Sequence, residues 1–307
     1  MRLDHVLLAV GDLDAARGDF RERLGLNALV GGVHPGRGTH NSLVHFGSAY
    51  LELIGVNEPS SPRAQGLLGF LADGDGPYDF ALAVGDLEAV AAALRAGGLG
   101  VGEPRDGSRR TPEGTLLRWR SADLSPGPGG PAGVDVPLPF LIEWVADAAG
   151  RGWFRGRIEL AKHARPWGRV HALLIATETP RALADEYVRL FGWREHGRAA
   201  DDQVVLEMPG GDGVNPTLGP ASLVVLLRPG DRPGAAGRLV DGAARARLDR
   251  AGAGFVGLAL EAAELDALVA GLRERGVGVE RADAGAWAAV SPADAHGLLL
   301  ELVGQVR

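Results

Sequence analysis

VLLAVGDLDA at residues 6–15 recurs as FALAVGDLEA at residues 80–89, identical at seven of ten positions. In both copies an apolar run of strand length stops at Gly-Asp-Leu, and apolar residues then return at helical spacing. These are Leu13, Ala16, Phe20 and Leu24 in the first copy and Leu87, Val90, Ala91 and Leu94 in the second. Each copy reads as a strand followed by an amphipathic helix. The helices are expected to end at Gly25 and at Gly97-Gly98, where the chain needs a left-handed backbone.

Working outward, strands expected over residues 27–33, 41–46 and 49–56, the last two joined at Gly47-Ser48, complete a βαβββ module. After the second helix, strands are expected over 100–103, 115–121 and 140–145. The Pro/Gly-rich run SPGPGGPAGVDVPLP (125–139) is a loop before the last of them. The pattern returns more weakly from Val170 and from Phe255; the third copy ends near SLVVLLRP and the fourth near AHGLLLELVG. Repeats of this kind bury their faces against one another. The expectation is an α+β fold of four βαβββ modules in two pairs, each pair forming a cup-shaped mixed sheet. The pairs occupy residues 1–146 and 170–307, joined by a linker, 147–169, that contains Pro166 and Gly168.

With 32 basic against 39 acidic residues the net charge is −7, a field that repels nucleic acid. There is no cysteine, so disulfides, thiolate metal sites and cysteine nucleophiles are excluded, which fits a reducing compartment. The opening apolar run, about six residues, is too short for a signal peptide or membrane span. A cytoplasmic protein with a small-molecule partner, and no membrane or nucleic-acid partner, is the expectation. Exchange of duplicated modules between chains makes a homodimer a further option. Lys162 is the single lysine, so Schiff-base chemistry would rest on it alone.

Aligned on Gly-Asp-Leu, His5 falls opposite Asp79 at the heads of the first strands, while the last strands carry Glu52 and Glu143. If those four strands line one trough, an imidazole and three carboxylates converge as a metal site in outline. Strand alternation supports Glu52, since Leu51 and Leu53 must face the helix-covered side. The plainer alternatives stay open: His5 as a strand cap, Asp79 as a turn residue, the glutamates at a wet sheet edge. In the second half His171 stands opposite His5 and Glu301 opposite Glu52, but Gly257 and the apolar Val224-Val225 leave that set short of donors. His296 reads as a turn residue.

The stretch VHPGRGTHNSLVHFG holds His34, Arg37, Thr39, His40, Asn41 and His45 on a loop entering a strand. Arg37, Thr39, His40 and Asn41 are candidate substrate contacts, Arg37 for a carboxylate or phosphate. In SRRTPEGTLLRWR, Arg109, Arg110, Arg118 and Arg120 form either a solvated basic face or an anion clamp, with Arg118 the candidate contact. Trp119, Trp144, Trp153 and Trp167 suit either stacking on a planar ligand or structural packing.

LDHVLLAVGDLDAA, HPGRGTHNSLV, YLELIGV, RRTPEGTLLRWR and PLPFLIEW together resemble the glyoxalase-like domain of the vicinal oxygen chelate (glyoxalase/bleomycin resistance/dioxygenase) superfamily, over roughly residues 3–145. The resemblance implies paired βαβββ units in a cup, with a divalent metal ion held by His5, Glu52, Asp79 and Glu143. Glyoxalase I lyases usually present histidine or glutamine where Asp79 stands. Extradiol dioxygenases place two histidines and a glutamate in the second half, where Gly257 takes one histidine's position, so ring cleavage is not expected.

An oxygen-rich site with one nitrogen suits Mn, Mg, Zn, Fe, Ni or Co. Such an ion stabilises an enolate or oxyanion while a carboxylate, here Glu143, moves the proton. The expected function is a metal-assisted lyase, isomerase or epimerase acting on a small carbonyl compound. The rival is a non-catalytic binder of an antibiotic-like molecule on the same fold.

Overall fold

The Gly-Asp-Leu motif folds as its residue types require. In the computed structural model the first strand gives way to Asp12, whose carboxylate accepts from the amides of Asp14 and Ala15 (3.1 and 3.0 Å) and starts a helix. Asp86 caps the second copy in the same way, accepting from the Ala89 amide at 2.9 Å. Caps of this kind contribute about 1 kcal/mol each. Leu13 and Leu87, next in the motif, are buried and fix each helix to its sheet. The third and fourth helices start at Thr179 and Glu264 without a side-chain capping bond, which is why their copies of the motif are faint.

All residues are described except 48, 128–133, 146–155, 157–161, 164–165, 198–199, 209–222, 283–286 and 305–307, so Ser48, Trp153 and much of the expected linker lie outside the described residues. The first pair of modules runs β1 (Arg2–Ala9), α1 (Leu13–Glu22), β2 (Ala28–His34), β3 (Thr39–Phe46), β4 (Ala49–Val56), α2 (Gln65–Leu71), β5 (Gly76–Ala83), α3 (Leu87–Ala96), β6 (Gly100–Val101), β7 (Arg105–Arg110), β8 (Leu116–Ala122), β9 (Leu124–Ser125) and β10 (Phe140–Trp144). The second runs β11 (Trp167–Ala176), α4 (Pro180–Phe191), β12 (Arg194–Glu195), β13 (Gln203–Glu207), β14 (Leu223–Leu227), α5 (Gly234–Ala251), β15 (Gly254–Ala262), α6 (Leu265–Arg273), β16 (Val279–Arg281), β17 (Trp287–Val290) and β18 (Leu299–Gly304).

Each pair forms one eight-stranded mixed sheet, ordered β2-β3-β4-β1-β5-β10-β8-β7 and β12-β13-β14-β11-β15-β18-β17-β16. First strands pair antiparallel across the middle, and each lies parallel to its module's last strand. The helix-covered faces of both sheets feed one apolar core, with Phe20, Leu24 and Leu94 from the first and Tyr187, Phe191 and Leu272 from the second. Across it Trp167 Nε1 donates to the Leu24 carbonyl (2.9 Å) and Tyr187 Oη to the Pro137 carbonyl (2.5 Å). Trp167 is therefore structural.

The first sheet curls until its edges touch: Arg109 on β7 donates to the Gly31 carbonyl on β2 at 2.8 Å. Side chains cannot fit at this seam. A Cβ on Gly31 would lie 2.0 Å from Asn41 Oδ1, and one on Gly32, whose φ is 145°, would lie 2.6 Å from the Arg110 carbonyl oxygen. The cup so formed stays hollow. In the second cup the same connection, from fourth to fifth strand, is the 18-residue helix α5 in place of the seven-residue α2. Ala236, Val240, Ala243 and Ala244 of α5 pack on Ala172, Leu174, Ala176 and Leu299 and fill that cup.

Two strand assignments differ from expectation. Residues 100–101 pair with 124–125 in a separate two-stranded sheet, and the cup strand is Arg105–Arg110. RDGSRR carries no apolar alternation because one of its faces meets solvent and the other a polar cavity mouth. Helix α5 gives no strong apolar periodicity in the sequence, because its buried face is mostly alanine and glycine.

Candidate functional site

The register across β4, β1 and β5 builds the site. Leu7 lies beside Glu52 on one side and Asp79 on the other; His5 lies beside Tyr50 and Ala81, and Phe140 pairs with Ala81. Laterally paired residues share a face, so Tyr50, His5, Ala81 and Phe140 form one row and Glu52, Leu7 and Asp79 the next. Both rows look into the first cup, a cavity of about 390 Å³. Two strand spacings put the Glu52 and Asp79 backbones about 10 Å apart.

His5 is buried, stacked on Tyr50 (4.6 Å between ring centroids) with the edge of Phe140 at 5.5 Å. Its Nδ1 lies 2.8 Å from Asp4 Oδ2, which also accepts from Trp144 Nε1 at 3.2 Å, and its Nε2 faces Glu52 Oε2 at 3.6 Å. Asn41 Nδ2 donates to Glu52 Oε1 (2.9 Å) and to His34 Nε2 (3.2 Å), and His34 Nδ1 lies 2.8 Å from Thr39 Oγ1. That pattern assigns the His34 proton to Nδ1. Burial lowers the His34 pKa and favours the neutral ring. Asp79 behaves in the opposite sense: enclosure by the sheet pushes its carboxyl up to about 7, although Oδ1 accepts from the Phe80 amide at 2.7 Å.

His5, Glu52 and Asp79 thus line one cavity, as do Arg37, Thr39 and Asn41. Three expected contacts do not. Glu143 pairs in register with Arg120, and Arg120 reaches Glu88 on α3, so Glu143 sits on the helix side of β10, 3.7 Å from that guanidinium. The cavity-facing residues of β10 are Phe140, Ile142 and Trp144. By pairing, Phe140 stands where Glu52 stands in the first module. The proposed base is therefore out of position by strand alternation. Arg118 is exposed outside the cavity for the same reason. His40 is turned towards Gly55 and the charge of Asp14, and burial lowers its pKa.

In the second half Ala172 takes the place of His5, because His171 sits in a bulge, Nδ1 3.9 Å from Glu261 Oε1. Glu301 does hold the position equivalent to Phe140 and Glu52, but beneath α5, where burial pushes it up to about 7. Lys162 lies outside the cavity.

These donors do not fit a resident divalent ion. His5 and Glu52 approach one another, but His34 Nε2, 3.7 Å from Glu52 Oε1, is taken by the Asn41 amide, and their counterparts across the pair are Asp79, engaged by the Phe80 amide, and Phe140, which offers no donor. Among the described residues no three His, Cys, Asp or Glu side chains are placed to share one ion.

Residues 3–191 match the family model of the glyoxalase-like domain. The chain belongs to this family. Among solved structures, the glyoxalase-like chain is similar to a hypothetical protein from Staphylococcus aureus, with 14% identity, a TM-score of 0.67 and 99% of each chain covered. It is similar also to a triple mutant of 4-hydroxymandelate synthase from Streptomyces coelicolor, with 16% identity, a TM-score of 0.57, and 99% of this chain and 92% of that one covered. These likenesses concern the fold. Methylmalonyl-CoA epimerase from Mycobacterium tuberculosis aligns at 27% identity over 46% of this chain and 87% of that one, with a TM-score of 0.35. Comparison with curated proteins gives no match. Membership of the vicinal oxygen chelate superfamily supports a catalytic or ligand-binding function for the glyoxalase-like chain. No helix among its described residues is long and apolar enough to cross a membrane.

Proposed function

We propose that the first cup is the site of a lyase, isomerase or epimerase that acts on a small carbonyl compound by side-chain acid–base chemistry. The observation that carries this reading is the pair of carboxylates flanking Leu7, with His5 beside them. Glu52, held by Asn41, takes the proton from the carbon next to the carbonyl. The freed electron pair moves to the carbonyl oxygen, which is stabilised by a hydrogen bond from protonated Asp79. A carboxyl held near 7 is matched to donating and regaining a proton at neutral pH. His5, bonded to Asp4, keeps Glu52 in place, and Arg37, Thr39 and Asn41 contact the substrate. The donor set does not suit a divalent ion, and the acid and the base are side chains of the protein.

A second reading, a non-catalytic binder of a planar ligand, is supported by the aromatic walls. Trp119 and Trp144 lie 5.5 Å apart and Tyr50 covers His5. Proton exchange separates the two. The protein is incubated in D2O with pyruvate, 2-oxobutyrate and acetoacetate, and deuterium uptake next to the carbonyl is followed by NMR. Exchange above the protein-free rate that disappears in Glu52→Gln supports the enzyme. Exchange that survives in Glu52→Gln removes the assigned base, and none with any of the three favours the binder.

A further inference from the structure

Four arginines line the first cavity, Arg37, Arg63, Arg105 and Arg109, against the three carboxylates Glu52, Asp79 and Asp123, in a chain whose net charge is −7. Arg109 is the buried member, tied to the Gly31 carbonyl, and Arg105 is paired with Asp123. The side chains of Arg37 and Arg63, in contrast, make no hydrogen bond and no ion pair among the described residues.

Arg63 is exposed and Arg37 half-buried, and the backbone that carries them is built into place. The turn that carries Arg37 has Gly36 and Gly38 at φ 68° and 69°. The Gly38 carbonyl accepts from the amides of Asn57 and Glu58 at 3.0 and 3.2 Å, and a Cβ on Gly38 would lie 2.4 Å from Ser61 Cβ. The hairpin tip is thereby packed on the segment that enters the short turn Pro62–Ala64, which carries Arg63. Two guanidinium groups without a hydrogen bond or ion pair among the described residues thus line one cavity. Burial and the charges of Arg105 and Arg63 work against the charge on Arg37, and the carboxylates of Glu52 and Asp123 offset them in part. Like charges gathered this way repel each other unless an anion lies between them.

We propose that Arg37 and Arg63 form an anion-binding mouth on the first cup and recognise a phosphate or a carboxylate on the small molecule that enters it. This rests on the reading of the first cup as the substrate site, and it narrows the carbonyl compound to one that bears a separate oxyanion. Two planar forks suit bidentate binding of either group.

The test is calorimetric titration with inorganic phosphate, pyrophosphate and malonate, using wild type, Arg37→Gln/Arg63→Gln and the outer-face control Arg118→Gln. At least one anion is expected to bind wild type, to bind the double variant at least tenfold more weakly, and to bind the control unchanged. The anion that binds best separates a phosphate from a carboxylate source. Should the double glutamine variant fail to fold, Arg37→Lys/Arg63→Lys keeps both charges and is expected to weaken binding by losing the forks. Equal binding by the double variant, or no binding of any of the three, overturns the proposal. Binding is read without turnover, so its failure leaves proton exchange at Glu52 untouched, and loss of proton exchange leaves the anion site standing.

Discussion

The guanidinium of Arg250 lies 3.9 Å from the centroid of the Phe70 ring, and its nitrogens donate to the carbonyls of Phe70 and Gly74 (2.6 Å each) and of Asp75 (2.8 Å). A side chain from the helix that fills the second cup thus holds the end of α2, which supplies Gly66 and Leu67 to the wall of the first. Asp75 is engaged from both sides, by the Gly11 amide (2.8 Å) and by His296 Nδ1 (2.7 Å).

Arg250→Ala removes charge-assisted bonds to three carbonyls and a cation–π contact, and is expected to cost about 2–4 kcal/mol in urea denaturation. Ligand affinity in the first cup should fall with it, although Arg250 does not line that cavity. A loss under about 0.5 kcal/mol, the range of ordinary surface changes, would show that α2 stands without this clamp.

Gly31→Ala forces a methyl group to within 2.0 Å of Asn41 Oδ1, the side chain that holds Glu52. A destabilisation of about 1–3 kcal/mol is expected from overpacking. The seam between β2 and β7 should open as well, seen as faster amide exchange along β7. Gly69→Ala, where a Cβ meets nothing within 4 Å, is the comparison without a clash and should be neutral or slightly stabilising in its helix.

Asp79 and Glu301 are each held up to about 7 by burial. In the unfolded chain both ionise near about 4. Between these values the folded protein binds more protons than the unfolded one, so their stability contribution is complete below about 4 and is lost as pH rises through 7. Asp79→Asn and Glu301→Gln should each melt higher than wild type at pH 8 and flatten the decline from pH 4 upward. Thermal melts across that range that superimpose on wild type would place both carboxyls in ordinary surroundings.

Exhaustive dialysis against EDTA should leave ligand binding and any proton exchange unchanged, because among the described residues no three His, Cys, Asp or Glu side chains converge on one point. Atomic absorption on protein purified without chelator should find far less than one metal per chain. One equivalent of tightly held metal, lost together with activity, would contradict the side-chain mechanism.

The parts that were legible in the sequence are those fixed within a few residues. Gly-Asp-Leu states a strand end, a capping carboxylate and a core leucine in three letters, and alternation around Glu52 turned it into the cavity as expected. Register is different, because it is set by pairing between distant segments. Matching Glu143 to Glu52 by residue type hid the fact that Phe140 pairs with Ala81 as Glu52 pairs with Leu7. Asp4, Tyr50 and Arg63 gave no local signal; their roles exist only after His5 and the hairpin tip have found their neighbours. Gly31 and Gly32 read as part of a strand over 27–33, and only the closed sheet shows that they are there for want of room.

Filling the second cup with α5 has a consequence for stoichiometry. A duplicated molecule would ordinarily offer two equivalent receptors, able to bind in succession and to influence one another. Here the chain's own alanines occupy one of the two, so the proposed site in the first cup should saturate at a single equivalent per polypeptide, with a hyperbolic titration curve.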